Sequence, residues 1–387
     1  MLQPIVAGLI GALTGFASTF AIVIAGLRAT GATEQQAASG LLVLCLAQGV
    51  IAMLFSWRYR MPLSFAWSTP GAAMLIASDG LTGDFSAAVG AFILCGALIV
   101  LTGLWPALGR WMTAIPKPVA GAMLAGILVP MCLAPVLASV QLPLLALPVV
   151  IVWLVLYRLA PRFAVPAAMV VTAVVVGIAA DSDWLAGASL APQLTLLMPS
   201  FDPAVLVSLG IPLYIVTMAG QNVPGFAVLT TFGYPAPPVT PILVGTGVLS
   251  IAGAFAGGHA TNLAALSAAI MAGPDAHPER DRRWIATFTG GVVHVLLGLA
   301  ASAAAALVAA APPVLITAAA GLALFGAFIT GIVSAFEESE HRLAAAVTFL
   351  VVASGIVVAG IGSAFWGLVA GGTVMLWLRG RRRPATV

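Results

Sequence analysis

A helix that crosses a membrane must satisfy its own backbone. A glycine pair and a polar run at its centre are tolerated only where protein or a water-filled cavity encloses them. Two apolar segments of this chain carry such an interruption. Between Val239 and Met271 the run Gly257-Gly258-His259-Ala260-Thr261-Asn262-Leu263 breaks the hydrophobic pattern, and in the first half Ser64-Phe65-Ala66-Trp67-Ser68-Thr69-Pro70-Gly71 does the same. In each, a few extended residues lead to a helix-start signal and then to an apolar half-length helix. Ser68 or Thr69 can cap the first, with Pro70 at the first helical position, and Thr261 can cap the second. Short, interrupted segments at corresponding places in two halves point to the binding site of a secondary transporter.

The surrounding sequence fits a bilayer. Of 387 residues, 61% are hydrophobic and 7% charged, against about 25% charged in soluble proteins. The first apolar run, Ile5 to Leu27, is long enough to span and lacks a basic leader, so it reads as a span and not as a signal peptide. At about 20 apolar residues per span, and fewer where a helix breaks, fourteen spans are predicted. They run roughly over 4–27, 36–57, 63–78 (broken), 85–105, 118–138, 142–158 and 165–180, then 203–220, 239–256, 257–272 (broken), 284–310, 313–333, 342–361 and 363–378. Polar or Pro-rich pieces at 106–116 and 188–202 read as interfacial connectors.

The formal charge of +3 raises nucleic acid as a partner, but the bases lie in short loops between spans, where membrane orientation explains them better. With a cytoplasmic N-terminus the chain is cytoplasmic again after every even-numbered span. Those loops then hold Arg58, Arg60, Arg110, Lys117, Arg158, Arg162, Arg280, Arg282, Arg283, Arg342 and the tail Arg379, Arg381, Arg382 and Arg383. That is 14 of the 15 Lys and Arg, with only Arg28 outside, so both termini are expected inside. Cys45, Cys95 and Cys132 fall in apolar segments without metal-ligand spacing and read as small core residues. No metal or other cofactor is predicted.

The halves echo each other. Pro118-Val119-Ala120-Gly121-Ala122-Met123-Leu124-Ala125-Gly126 is similar to Pro313-Val314-Leu315-Ile316-Thr317-Ala318-Ala319-Ala320-Gly321, and the extended-then-capped break recurs at Thr69 and Thr261. Seven spans per half is odd, so the second copy inserts upside down. The predicted fold class is an all-α polytopic membrane protein, its 14 transmembrane segments arranged as a 7+7 inverted repeat with spans 3 and 10 broken.

Particular motifs also resemble a known family. The run Tyr214-Ile215-Val216-Thr217-Met218-Ala219-Gly220-Gln221-Asn222-Val223-Pro224-Gly225-Phe226-Ala227-Val228-Leu229 resembles a signature of the benzoate:proton symporter (BenE) family. So do Ala66-Trp67-Ser68-Thr69-Pro70-Gly71-Ala72-Ala73, Asn262-Leu263-Ala264-Ala265, Gly273-Pro274-Asp275-Ala276-His277 and Gly362-Ser363-Ala364-Phe365-Trp366-Gly367-Leu368-Val369-Ala370-Gly371. The matches are spread in order over almost the whole chain. The resemblance implies import of benzoate or a related aromatic acid with protons across a bacterial inner membrane. It also implies the seven-plus-seven fold of nucleobase and sulfate-permease-type transporters. In that fold residues 1–105 and 188–311 form a core (transport) domain and 106–187 and 312–387 a gate domain, with substrate between them near the broken spans. A homodimer through the gate domains is compatible with the fold, though no pattern here establishes it.

All 12 carboxylates lie at span ends or in loops, and histidine is the only titratable acid or base at mid-membrane. Nucleobase carriers of this fold typically place carboxylates in spans 8 and 10; here the matching neighbourhoods offer Gln221, Asn222 and His259. A site without fixed negative charge suits an anion. Each half-helix presents unpaired N–H groups and about half a positive charge. Free N–H groups near Gly71 and Leu263, with the hydroxyls of Ser68, Thr69 and Thr261, are expected to grip a carboxylate; the alternative is that these residues only cap helices. Gln221 and Asn222 either meet substrate or its water, or bond a neighbouring broken helix. Their counterparts in span 1 lie near Ser18, Thr19 and Phe20. Among Phe16, Phe20, Phe65, Trp67, Tyr214 and Phe226, those in the break, Phe65 and Trp67, are the strongest candidates to face an aromatic ring. Asn262 completes the substrate-binding candidates.

His259 is the only titratable group inside a break and is the proton-coupling candidate, against a neutral histidine bonded to backbone. His294, inside span 11, reads as intrahelical packing or a proton relay. Glu337-Glu338-Ser339-Glu340-His341-Arg342 reads as a solvated connector. Other classes remain: an inorganic-anion or nucleobase carrier of the same fold, or a passive anion pore. An enzyme would need a nucleophile with a base, or a metal cluster, at membrane depth. The sequence offers neither, so no catalytic residue is assigned.

Overall fold

A computed structural model describes residues 2–80, 82–105, 107–108, 116–179, 191–235, 237–264, 266–358 and 361–379. Arg110, Asp181, Asp183, Ala265, Arg381, Arg382 and Arg383, and most of the 106–116 connector, lie outside the described residues. The first half runs α1 (Leu2–Ala29), α2 (Glu34–Tyr59), strand β1 (Phe65–Trp67), α3 (Thr69–Ala77), α4 (Phe85–Leu104), α5 (Lys117–Gln141), α6 (Pro143–Leu159) and α7 (Pro161–Ala179). The second half opens with α8 (Pro203–Thr231), then α9 (Val239–Ala254), β2 (Thr261–Leu263), α10 (Leu266–Ala272), α11 (Trp284–Gly298), α12 (Ala301–Ala310) and α13 (Pro313–Phe336). It closes with α14 (Arg342–Ala353), a hairpin of β3 (Val357–Val358) and β4 (Ile361–Gly362), and α15 (Ser363–Arg379).

Six of these helices, α1, α2, α4, α5, α8 and α13, are long and apolar enough to cross a membrane, and α11 with α12 makes a seventh if taken as one span bent by 59°. The protein is a helical membrane protein, and its outer face fits lipid. On α5 and α6, Leu133, Val136, Leu137, Val140, Leu144 and Ile151 are all exposed, apolar surface that water would penalise.

Three boundaries depart from the sequence expectation. The run 284–310 is not straight, because at Leu299 and Ala300 the N–H groups bond three residues back, to Leu296 and Leu297, and the helix turns. Helix α14 stops at Ala353, well short of 361, since Gly355 adopts the left-handed conformation (φ 65°) that glycine tolerates best. Helix α8 runs on to Thr231, past the expected end at residue 220.

Glycine contacts set the helix pairs. A Cβ on Gly49 of α2 would lie 2.7 Å from the carbonyl oxygen of Gly291 in α11; one on Gly96 of α4 would lie 2.9 Å from that of Gly247 in α9. Gly121 of α5 and Gly331 of α13 repeat the arrangement at 2.8 Å. Backbones approach this closely only without side chains, the small-residue packing that membrane helices use. The second helix of each half thus crosses the helix that follows the interruption in the other half.

Residues 191–202 form an irregular strap over one end of these pairs. Ser39 Oγ accepts from the Thr195 N–H (3.0 Å), Leu197 donates to the Phe255 carbonyl (2.7 Å) and Ser200 to that of Ser86 (2.9 Å).

Candidate functional site

The two interruptions pair with each other. β1 and β2 run antiparallel with Phe65 opposite Leu263, Ala66 opposite Asn262 and Trp67 opposite Thr261. Ser68 extends the ladder by donating to the Ala260 carbonyl, and Ala264 by donating to that of Ser64, each at 2.9 Å. Unwound backbone inside an apolar protein needs partners; here each interrupted segment supplies them to the other.

Side chains from the first helix of each half hold the strands. Thr19 of α1 accepts a hydrogen bond from Trp67 Nε1 at 2.9 Å. Asn222 of α8 accepts one from the Leu263 N–H at 2.9 Å. Asn222 reaches that position because α8 carries two wide π-type turns, Leu206–Gly210 and Met218–Asn222, each closed by an N–H bonding five residues back (Ile211 to Leu206, Val223 to Met218). A proline follows one residue later in both cases, at Pro212 and Pro224. Proline has no N–H and crowds the carbonyl four residues back, and a widened turn relieves that crowding.

Ser68 is the cap of α3. Its Oγ accepts from the Gly71 N–H (3.2 Å) and from the Thr217 hydroxyl of α8 (2.8 Å), and its carbonyl meets His259 Nε2 at 3.1 Å. A carbonyl only accepts, so His259 carries its proton on Nε2; its Nδ1 is buried without a partner among the described residues.

Beside the paired strands lies a cavity of ≈ 290 Å³. Four of the predicted site residues line it: Phe65, Trp67, Thr69 and Gln221. The α1 counterparts Ser18 and Thr19 do so as well, whereas Phe20 stacks on Phe16 at 5.2 Å and Phe16 meets Trp67 edge-on at 6.0 Å. Among the described residues no Asp, Glu, Lys or Arg lines the cavity.

Ser68, Gly71, Asn222, His259, Thr261, Asn262 and Leu263 are buried behind this wall and do not line it. Two expectations are corrected. Thr261 does not cap a helix: it sits in β2, its N–H bonded to Ser250 Oγ at 2.9 Å, and α10 begins only at Leu266. The N–H groups of Gly71 and Leu263 are not free, because Ser68 Oγ and Asn222 Oδ1 take them. At the start of α3 only the Thr69 N–H lacks a partner among the described residues, Pro70 having none to offer.

Two lining residues were missed or undervalued in the sequence. Gln48, in the middle of α2, was not singled out, although a lone amide at membrane depth is a signal in itself. His294 also lines the cavity. Tyr214 does not; it hydrogen-bonds Thr102 of α4.

Helices paired through glycine, two antiparallel strands between them and a cavity that no charged side chain among the described residues lines are the features of a membrane transporter. Solved structures share the fold. The transmembrane domain of a cyanobacterial bicarbonate transporter, BicA, aligns with a TM-score of 0.59 at 17% identity, covering 96% of this chain and 98% of that one. SLC26A9 aligns at 0.61 and 14% identity over 97% of this chain and 65% of that one. The chain belongs to the BenE family, the benzoate membrane transport proteins, whose profile matches residues 1–376. It is 41% identical over 370 residues to the inner membrane protein YdcO of Escherichia coli, covering 95% of this chain and 94% of that one. It is 30% identical over 376 residues to the benzoate membrane transport protein of Acinetobacter baylyi, covering 96% and 93%. Such proteins are carriers and not enzymes.

Proposed function

We propose that this protein is a secondary active transporter importing benzoate or a related aromatic carboxylate with protons by alternating access. The observation that carries the reading is the cavity beside the paired strands. It offers ring surfaces (Phe65, Trp67), neutral polar groups (Thr69, Gln221) and, among the described residues, no carboxylate, in a chain of the benzoate membrane transport family. The carboxylate takes the Thr69 N–H and hydroxyl at the positive end of α3 and the Gln221 amide; the ring lies against Phe65 and Trp67. Ser68, Gly71, Asn222, Thr261, Asn262 and Leu263 act from behind, holding the strands and the cap in place. His259, bonded to the Ser68 carbonyl, is the group proposed to carry or sense the proton.

The same reading takes the chain as fourteen membrane segments in two inverted sevens, with β1–α3 and β2–α10 as the broken ones. Core (1–105, 188–311) and gate (106–187, 312–387) domains move past each other, both termini are cytoplasmic, and the membrane is a bacterial inner membrane. In support, thirteen of the fourteen expected segments overlap a helix, a bent helix pair or a strand and helix over most of their length, the exception being 342–361, whose helix ends at Ala353, and glycine crossings of the α2–α11 kind recur at α4–α9. A homodimer through the gate domains belongs to this reading.

The test is benzoate uptake into proteoliposomes under an imposed inward proton gradient, with uracil, sulfate, bicarbonate and substituted benzoates as competitors. Accumulation that a protonophore collapses and only aromatic acids compete supports the proposal; uptake that merely equilibrates refutes the coupling. Competition by bicarbonate or sulfate would favour a second reading, an inorganic-anion carrier, for which the structural neighbours speak.

A further inference from the structure

Two polar side chains on the cavity wall have no part in that scheme. Gln48 of α2 is 1% exposed, and among the described residues neither its Nε2 nor its Oε1 has a hydrogen-bond partner. His294 of α11 bonds the Gly290 carbonyl through Nδ1 at 2.8 Å. The neutral ring therefore carries its proton on Nδ1, and Nε2 remains as an acceptor. Both side chains line the cavity. Both come from one helix pair, since α2 packs on α11 with Gly49, next to Gln48, against Gly291, one turn before His294.

A buried amide with both donor and acceptor unmet destabilises the protein that carries it. Packing α2 against α11 would be better served by Leu. The carboxylate is met elsewhere in the cavity, by Thr69 and Gln221, and Gln48 with a neutral His294 brings no net charge to this part of the lining. An amide beside a neutral imidazole matches a neutral group that both donates and accepts. On an aromatic ring that group is a hydroxyl: its O–H donates to His294 Nε2 and its oxygen accepts from Gln48 Nε2.

We propose that Gln48 and His294 form a subsite for a ring hydroxyl, so that the protein takes hydroxybenzoate-type acids in preference to the unsubstituted acid. The proposal rests on the aromatic-acid reading of the same cavity.

The experiment is equilibrium binding of benzoate and of 2-, 3- and 4-hydroxybenzoate to the purified protein in detergent, for wild type, Gln48→Leu and His294→Phe. At least one hydroxy isomer is expected to bind wild type about tenfold more tightly than benzoate, the scale of one well-made buried hydrogen bond. That ratio falls toward one in both variants, and ligand-free Gln48→Leu melts at a higher temperature than wild type because the unmet amide is gone. Equal affinities for all four acids in wild type would mean that only water uses this wall, and would overturn the proposal. A ratio preserved in both variants overturns it too, as does a loss of all four acids in equal measure, which would mark a scaffold or carboxylate contact. If wild type binds none of the four, the aromatic-acid reading falls first and the subsite with it.

Discussion

Ser68→Ala is the substitution whose consequences the structure defines most closely. The side chain is fully buried, and its oxygen accepts from both the Gly71 N–H and the Thr217 hydroxyl. Removing it takes away the cap of α3, worth about 1 kcal/mol. It also strands the buried Thr217 hydroxyl, at about 1–3 kcal/mol, less whatever that hydroxyl regains by turning to its own helix carbonyl. The sum is about 2–4 kcal/mol. Thr217 offers an internal check. In Thr217→Val the donor is already absent, so adding Ser68→Ala should cost only the cap, and the double-mutant cycle should show a coupling of about 1–3 kcal/mol, the cost of the stranded hydroxyl. Unfolding in mixed micelles by titration with a denaturing detergent, followed by tryptophan fluorescence, measures all four corners. A Ser68→Ala loss below about 0.5 kcal/mol, or a cycle additive to within about 0.3–0.5 kcal/mol, would refute the reasoning that this hydroxyl joins α3 to α8.

Two further predictions concern buried titratable or charged groups. His259→Gln preserves a side-chain donor for the Ser68 carbonyl but removes the titratable ring, so the fold should persist while uphill, pH-driven uptake is lost; retained accumulation would dismiss His259 as the proton group. Arg283 is buried and donates to the carbonyls of His277 (2.6 Å), Ala272 (2.8 Å) and Pro278 (3.2 Å), closing the loop between α10 and α11. Arg283→Gln should cost about 2–3 kcal/mol, since hydrogen bonds from a charged donor are lost and three carbonyls go unmet. A melting temperature within a degree of wild type would contradict this.

Much of the architecture was legible because lipid permits few solutions. Apolar runs of sufficient length become helices, and glycine with polar residues inside such runs marks where a helix yields. On that ground the interruptions at 64–71 and 257–263 were visible, and so were the residues around them: Phe65, Trp67, Thr69 and Gln221 all line the cavity. Local rules failed where partners came from far along the chain. Thr261 reads as a cap, yet it sits in a strand because Trp67 lies opposite and Ser250 accepts from its N–H. The Leu263 N–H counted as free until Asn222 reached it from a π-type turn.

What the amino-acid order alone determined was therefore a membrane protein of this family, the two interruptions and the placing of carboxylates at span ends and in loops, because hydropathy and charge placement act residue by residue. Tertiary structure decided which polar atoms face the cavity. The two interruptions satisfy each other's backbone, which sends Ser68, Asn222, Thr261 and His259 behind the wall, and the glycine crossing of α2 on α11 brings Gln48 and His294 onto it. Hydrogen-bond satisfaction in an apolar interior is a long-range constraint, and no local pattern encodes which of several similar polar residues is left without a partner.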